Sequence, residues 1–229
     1  MGIISVDHSS NLFWLGRYTE RVYTTLDSFF DYYDTMLDKD KDSYKYFLEK
    51  LNIEDEYGNY DNFISGFLYS RMNSFTVNST FRCAYDNALV IRNTIGSESL
   101  AYMELALNTF DFSRNAKNLR LALMPVVDYL LAFWGSIDDR LATEEAEIII
   151  RCGKFIERLD LYFRFSYEYK LINREYEKLC HIISHLPQTP DGFCNTKHLK
   201  GLVDALSEDN YKDRMDEVLD SLNKIFEDL

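Results

Sequence analysis

The chain has 229 residues, 38 of them acidic and 25 basic, for a net charge of −13, and its 46% hydrophobic, 28% charged balance excludes global disorder. Nine glycines and three prolines are too few for a loop-rich or many-turned β architecture, because turns need those residues. The length suits one domain over 1–229, with 186–229 as a C-terminal helical extension.

The acidic excess is local. Asp27 to Asp61 carries a net of −7 and Gly201 to Leu229 a net of −6, while the rest balances. Both segments would repel a nucleic-acid backbone or an anionic membrane, so neither is expected as a partner. The opening MGIISVDHSS has no basic region and no long apolar run, and the apolar stretch from Leu121 to Ile137 is broken by Pro125 and Asp128. With four sparse cysteines, the expectation is a cytoplasmic protein with reduced thiols.

Taken in chain order, helical periodicity dominates. Leu15, Tyr18, Val22, Leu26, Phe29 and Tyr33 recur at three-and-four spacing, which predicts a helix capped by Ser9 or Ser10 and ending near Leu37. Short helices are expected near Ser43 to Leu51 and Asn62 to Met72. Asn78 or Ser79 is expected to cap the next, which Gly96 stops before Ser97 restarts a helix. Ser113 is expected to open another, in which Pro125 marks either a kink or a new first turn. Thr143, followed by Glu144, Glu145 and Glu147, caps a long helix that could reach Leu186. Pro187 to Gly192 must break the chain, and final helices are expected over Thr196 to Leu206 and Asn210 to Phe226. No strand alternation appears, so the fold class is all-α: a single helical bundle with an internal helix repeat.

That repeat is the most informative feature. Gly16-Arg17-Tyr18-Thr19-Glu20-Arg21 recurs as Gly153-Lys154-Phe155-Ile156-Glu157-Arg158. Glycine and glutamate four residues apart share one helix line. A mid-helix glycine costs about 1 kcal/mol against alanine, a cost that is tolerable where another backbone comes close. Two readings follow. The charges could be ordinary pairs on a solvated face, worth little. Alternatively, two equivalent helices could bring two carboxylates and several guanidiniums around one cavity, suited to a ligand bearing both charges, such as an amino acid or peptide.

Asn11-Leu12-Phe13-Trp14-Leu15-Gly16-Arg17-Tyr18 with Glu20-Arg21 resembles the opening signature of the bacterial alpha-E domain family. Gly153 to Arg158 with Asp160 and Arg164 resembles its later signature, with Phe133-Trp134-Gly135 upstream. Arg82, Asn87-Ala88, Arg92 and Ser97-Glu98 resemble its central motif, with Asp86 standing where the family usually has Glu; the chain reads as a divergent, shortened member. The resemblance implies an all-helical protein and a charged network of Arg17, Glu20, Arg21, Arg82, Asp86, Asn87, Arg92, Lys154, Glu157, Arg158 and Asp160. It also implies a partner, an ATP-grasp amidoligase or a transglutaminase-like peptidase, in peptide synthesis or modification. A peptide ligand and a homo-oligomer both stay open.

No P-loop, dinucleotide motif, nucleophile elbow or His-Glu-x-x-His motif is present, so no cofactor is expected and an ATP-dependent step would need the partner. Cys180, His185, Cys194 and His198 offer a non-standard zinc spacing; the favoured expectation is no metal. If the chain is itself an enzyme, Glu20 and Glu157 are the candidate carboxylate pair, one acting as general base. Convergence on an open pocket would favour catalysis, and neutralisation in a closed ion-pair cluster would favour a structural role.

Overall fold

The computed structural model describes residues 5–38, 40–185, 194, 195, 198, 199, 202 and 211–226. All regular structure among them is helical. The helices are α1 (Val6–Asp38), α2 (Tyr44–Lys50), α3 (Tyr60–Phe63), α4 (Val77–Val90), α5 (Arg92–Ser113), α6 (Leu119–Arg140), α7 (Glu144–Arg164), α8 (Tyr169–Ile183) and α9 (Met215–Asn223). A 3-10 turn at Lys41–Ser43 precedes α2, and a π-helical turn at Ile64–Leu68 continues α3.

Several ends follow from local chemistry. The Thr143 hydroxyl accepts from the Ala146 amide at 3.2 Å, and three glutamates fill the first turn of α7, where the helix dipole favours them. Gly96, at φ 80°, divides α5, so the expected stop and restart both occur there.

Other ends depart from the sequence expectation. α1 begins at Val6, and Ser9 is buried inside it rather than capping it. Thr76, not Asn78 or Ser79, caps α4; its side chain is fixed by the Ser70 and Asn73 carbonyls, and Asn78 turns inward to the Tyr69 carbonyl. Ser113 closes α5, and Asn118 opens α6, which runs on through Pro125. α7 stops at Arg164. Ser166 adopts φ 56°, and the Ser166 and Tyr167 amides donate back to the Phe163 and Tyr162 carbonyls. That is the Schellman arrangement, with serine where glycine is usual. The Pro187 to Gly192 break lies outside the described residues, as does most of the helix expected over Thr196 to Leu206.

The architecture is built on α1 and α7, which make the most extensive contact among the described elements. They run in the same direction: Gly16 meets Lys154, Arg17 meets Glu157, and Ser28 meets Tyr167. α4 packs on α1, α5 on α6, and α8 and α9 on α7. The far end of α1 is sealed by an aromatic cluster in which Phe47 and Phe63 lie 5.9 and 6.4 Å from Phe29 and Tyr44 stacks on Phe63 at 4.9 Å. α6 is long and apolar enough, by length and composition, to cross a membrane. Here its Leu123, Val126, Leu130, Phe133 and Ile137 are fully buried in the core, while Leu121, Met124 and Leu131 face outward.

Candidate functional site

The two glycines of the repeat set the site. A Cβ on Gly16 would lie 2.1 Å from the Ile150 carbonyl oxygen and 3.0 Å from the Lys154 nitrogen. A Cβ on Gly153 would lie 2.1 Å from the Phe13 carbonyl oxygen and 3.1 Å from the Arg17 nitrogen. Phe13 and Ile150 each stand three residues before their own glycine, so the contact is reciprocal. The repeats therefore pack as pseudo-equivalent neighbours, and the backbones approach as closely as a missing side chain allows.

One turn further on, this approach carries both glutamates into the interface, where each is fully buried. Pairing is crosswise. Glu157 receives Arg17 Nε on Oε2 at 2.7 Å and Arg21 Nε on Oε1. Glu20 receives Arg158 Nε on Oε1 at 2.6 Å, together with the Thr24 hydroxyl at 2.9 Å. Each carboxylate is thus met by the arginine of the opposite copy. Burial alone would push the Glu157 pKa up. The charges of Arg21 and Arg17, with their hydrogen bonds, outweigh it and hold the pKa down to about 2. Glu157 in turn raises the Arg21 pKa above its ordinary value.

Each of these parallel helices thus carries an adjacent Glu-Arg pair, Glu20-Arg21 and Glu157-Arg158. The model of the Alpha-E family, described as a predicted alpha-helical domain with a conserved ER motif, matches residues 8–178. The chain belongs to the Alpha-E family. No curated protein matches it, and no solved structure does.

In this Alpha-E chain the cross extends outward on both sides. Arg17 also donates to Asn223 Oδ1 at 2.8 Å, and Asn223 donates to Asp160 Oδ2 at 3.0 Å. Asp160 holds Arg164 through Oδ1 at 2.6 Å. On the other side Arg158 reaches Glu175, which also gathers Arg174 at 3.0 Å and Lys178 at 2.8 Å. Glu175 and Asn223 went unnoticed in the sequence, because neither lies in the repeat and Asn223 belongs to the extension on α9.

The symmetry fails at one position. Arg17, which pairs with Glu157, has Lys154 as its counterpart, and Lys154 does not reach Glu20. Its ammonium sits 4.0 Å over the Trp134 ring. Burial pulls the Lys154 pKa down to about 8, against the opposing pull of Glu20. Glu20 Oε2 consequently has no hydrogen-bond partner among the described residues.

The central motif does not join the network. Arg82 pairs with Asp111 on α5 and with Asn78. Asp86 and Arg92 are exposed, and Asn87 is only partly buried. Arg82, Asp86 and Asn87 fall off the stripe of Val77, Phe81, Ala84 and Ala88 that α4 presents to the core, and Arg92 stands at the start of α5. The zinc alternative is corrected too. Among the described residues, no group of three or more His, Cys, Asp or Glu side chains could hold a metal, so Cys180, His185, Cys194 and His198 do not gather. His185 Nδ1 instead donates to the His181 carbonyl at 2.8 Å.

A cavity of about 340 Å³ opens on one end of the cross. Glu157, Arg21, Asp160 and Arg164 form its polar wall, and Val22, Phe67 and Val77 an apolar one; Glu20 does not line it.

Proposed function

We propose that this Alpha-E chain is a non-catalytic helical binding module that works with an ATP-grasp-type ligase or a transglutaminase-like peptidase, holding a peptide or amino acid for synthesis or modification. The observation that supports it best is the state of the two glutamates. A general base must reach substrate and carry a pKa near the working pH. Glu20 is buried away from the cavity, and Glu157, held at about 2 between two arginines, is a weak base. The cross therefore reads as the frame of a site whose working surface is the adjoining cavity. On this reading the ATP-dependent step belongs to the partner, in keeping with a sequence that carries no phosphate-binding loop motif.

The test is reconstitution. The tagged full chain is co-purified with the proteins encoded beside it, and ATP-dependent amide formation is then measured with and without the chain. The expected result is a stable complex whose turnover depends on the chain. Turnover of a peptide by the isolated chain, lost in Glu157→Gln while the fold persists, would replace this reading with the carboxylate-pair enzyme.

A further inference from the structure

Two guanidiniums on the cavity wall are only half used. Arg21 commits its Nε to Glu157, and Arg164 commits its Nε to Asp160. Neither makes a hydrogen bond through its Nη groups among the described residues, and both side chains stay partly exposed, at 36% and 24%. A planar guanidinium carries five N–H donors, most of them on those Nη edges, in a fork that matches a carboxylate.

The local charge count agrees. The wall itself is balanced, Arg21 and Arg164 against Glu157 and Asp160, and Arg17, which does not line the cavity but also pairs with Glu157, brings the cluster to one net positive charge. At the mouth of the same cavity stand Glu54 and Glu56, both exposed. Unused guanidinium donors on the wall, negative charge on the rim and apolar side chains in the same cavity make a polarised slot. Beside it Asn52 holds φ 57°, a left-handed conformation that fixes the turn carrying Ile53 and Glu54 across the opening.

We propose that this cavity binds a free amino acid or dipeptide with an apolar side chain. The ligand carboxylate meets the Nη groups of Arg21 and Arg164, its ammonium faces Glu54 and Glu56, and its side chain lies against Val22, Phe67 and Val77. A volume of about 340 Å³ accommodates either ligand. The inference deepens the binding reading above and rests on it for the peptide setting. Truncation to one charged end should separate the two walls, since the carboxylate is offered the unused Nη donors and the ammonium the exposed carboxylates.

Calorimetric titration of the full chain with L-leucine, L-leucyl-L-leucine, L-leucinamide and N-acetyl-L-leucine tests it. Leucine or the dipeptide should bind, the better of the two identifying the length the slot takes. The amide should bind at least tenfold more weakly, and the N-acetyl compound should lose less. Arg164→Gln should weaken leucine at least tenfold. Glu54→Gln with Glu56→Gln, on the exposed rim and harmless to the fold, should weaken leucine while leaving N-acetyl-leucine unchanged. Equal binding of acid and amide, or no binding by any of the four, overturns the proposal. If leucine binds as described but no ligase co-purifies, the slot stands and the partner reading falls.

Discussion

The two halves of the crossed ion pair begin from nearly the same six residues and end in different states. In the Glu157 half, both carboxylate oxygens are taken by arginines of α1, and a cavity lies alongside. In the Glu20 half, one oxygen is taken by Arg158 and Thr24, the other has no partner among the described residues, and Glu20 does not line the cavity beside Glu157. The backbone is common to both, because Gly16 and Gly153 make reciprocal contacts. One side chain, lysine for arginine at 154, accounts for the difference in pairing. Arginine is a flat fork that bridges carboxylates, whereas lysine is a compact point charge on a flexible stem, and at 154 it sits over the Trp134 ring instead. The comparison teaches that an inherited symmetry in the frame can be kept while the chemistry on it diverges.

The largest expected effect separates the halves directly. Glu157→Ala leaves Arg17 and Arg21 without their carboxylate. Breaking a buried pair costs roughly 3–5 kcal/mol, and Arg21 is partly solvated, so about 3 kcal/mol is expected by denaturant unfolding. Glu20→Ala strands only Arg158, which keeps Glu175 at 3.3 Å, and should cost about half as much. The pH dependence gives the same contrast. In the folded chain Glu157 takes its proton near 2, and in the unfolded chain near its ordinary 4.5. Its contribution is therefore fully present above 4.5 and is lost as pH falls toward 2. The acid limb of the stability profile should flatten in Glu157→Ala. Equal losses in the two alanine variants would show that the halves are energetically alike despite their unequal pairing.

A somewhat smaller effect should be identical in both halves. Alanine at Gly16 or Gly153 gains about 1 kcal/mol of helix propensity. It also sets a Cβ against a backbone carbonyl, which no rotamer change can relieve. Such overpacking costs about 1–3 kcal/mol or more, so α1 and α7 must part and a net loss of about 2 kcal/mol is expected for each. Matched decreases in melting temperature would confirm the equivalence of the frame. A loss at one glycine alone would break it.

Much of this frame was legible in the sequence. The recurrence of Gly-x-x-x-Glu-Arg on two amphipathic stretches foretold close helix contact and a shared charged interface, because glycine and glutamate positions one turn apart are fixed by helix geometry alone. The partners were less legible. Crosswise pairing depends on how two helices cross, and Asn223 arrives from a segment far beyond the repeat. Arg82 and Asp86 stand outside the network because membership of a motif says nothing about which stripe of α4 faces inward; the apolar residues Val77, Phe81, Ala84 and Ala88 decide that, and Arg92 lies beyond α4, exposed at the start of α5. The end of α7 was missed because a serine, Ser166, does the work for which glycine is the usual signal.

The smallest expected effect is a gain, and it sharpens the comparison most. Lys154→Arg restores in the second half the residue type that Arg17 supplies in the first. The counterpart geometry already exists: Arg17 spans from the residue after Gly16 to Glu157, and position 154 stands in the same relation to Glu20. Glu20 Oε2 is buried and lacks a donor among the described residues, a state that costs about 1–3 kcal/mol when nothing satisfies it. The contact with Trp134 need not be lost, since a guanidinium also stacks on an aromatic face. The replacement also removes a group whose pKa burial lowers to about 8. In the parent chain, folding strips affinity for that proton, so stability should rise between pH 8 and the lysine's ordinary 10.5, and in the variant this rise should vanish. A gain of about 1 kcal/mol at pH 7, with the alkaline limb flattened, is the expected outcome in denaturant unfolding across that range. An unchanged or lower stability would mean that Lys154 already satisfies Glu20 in solution, and that the two halves differ less than their pairing indicates.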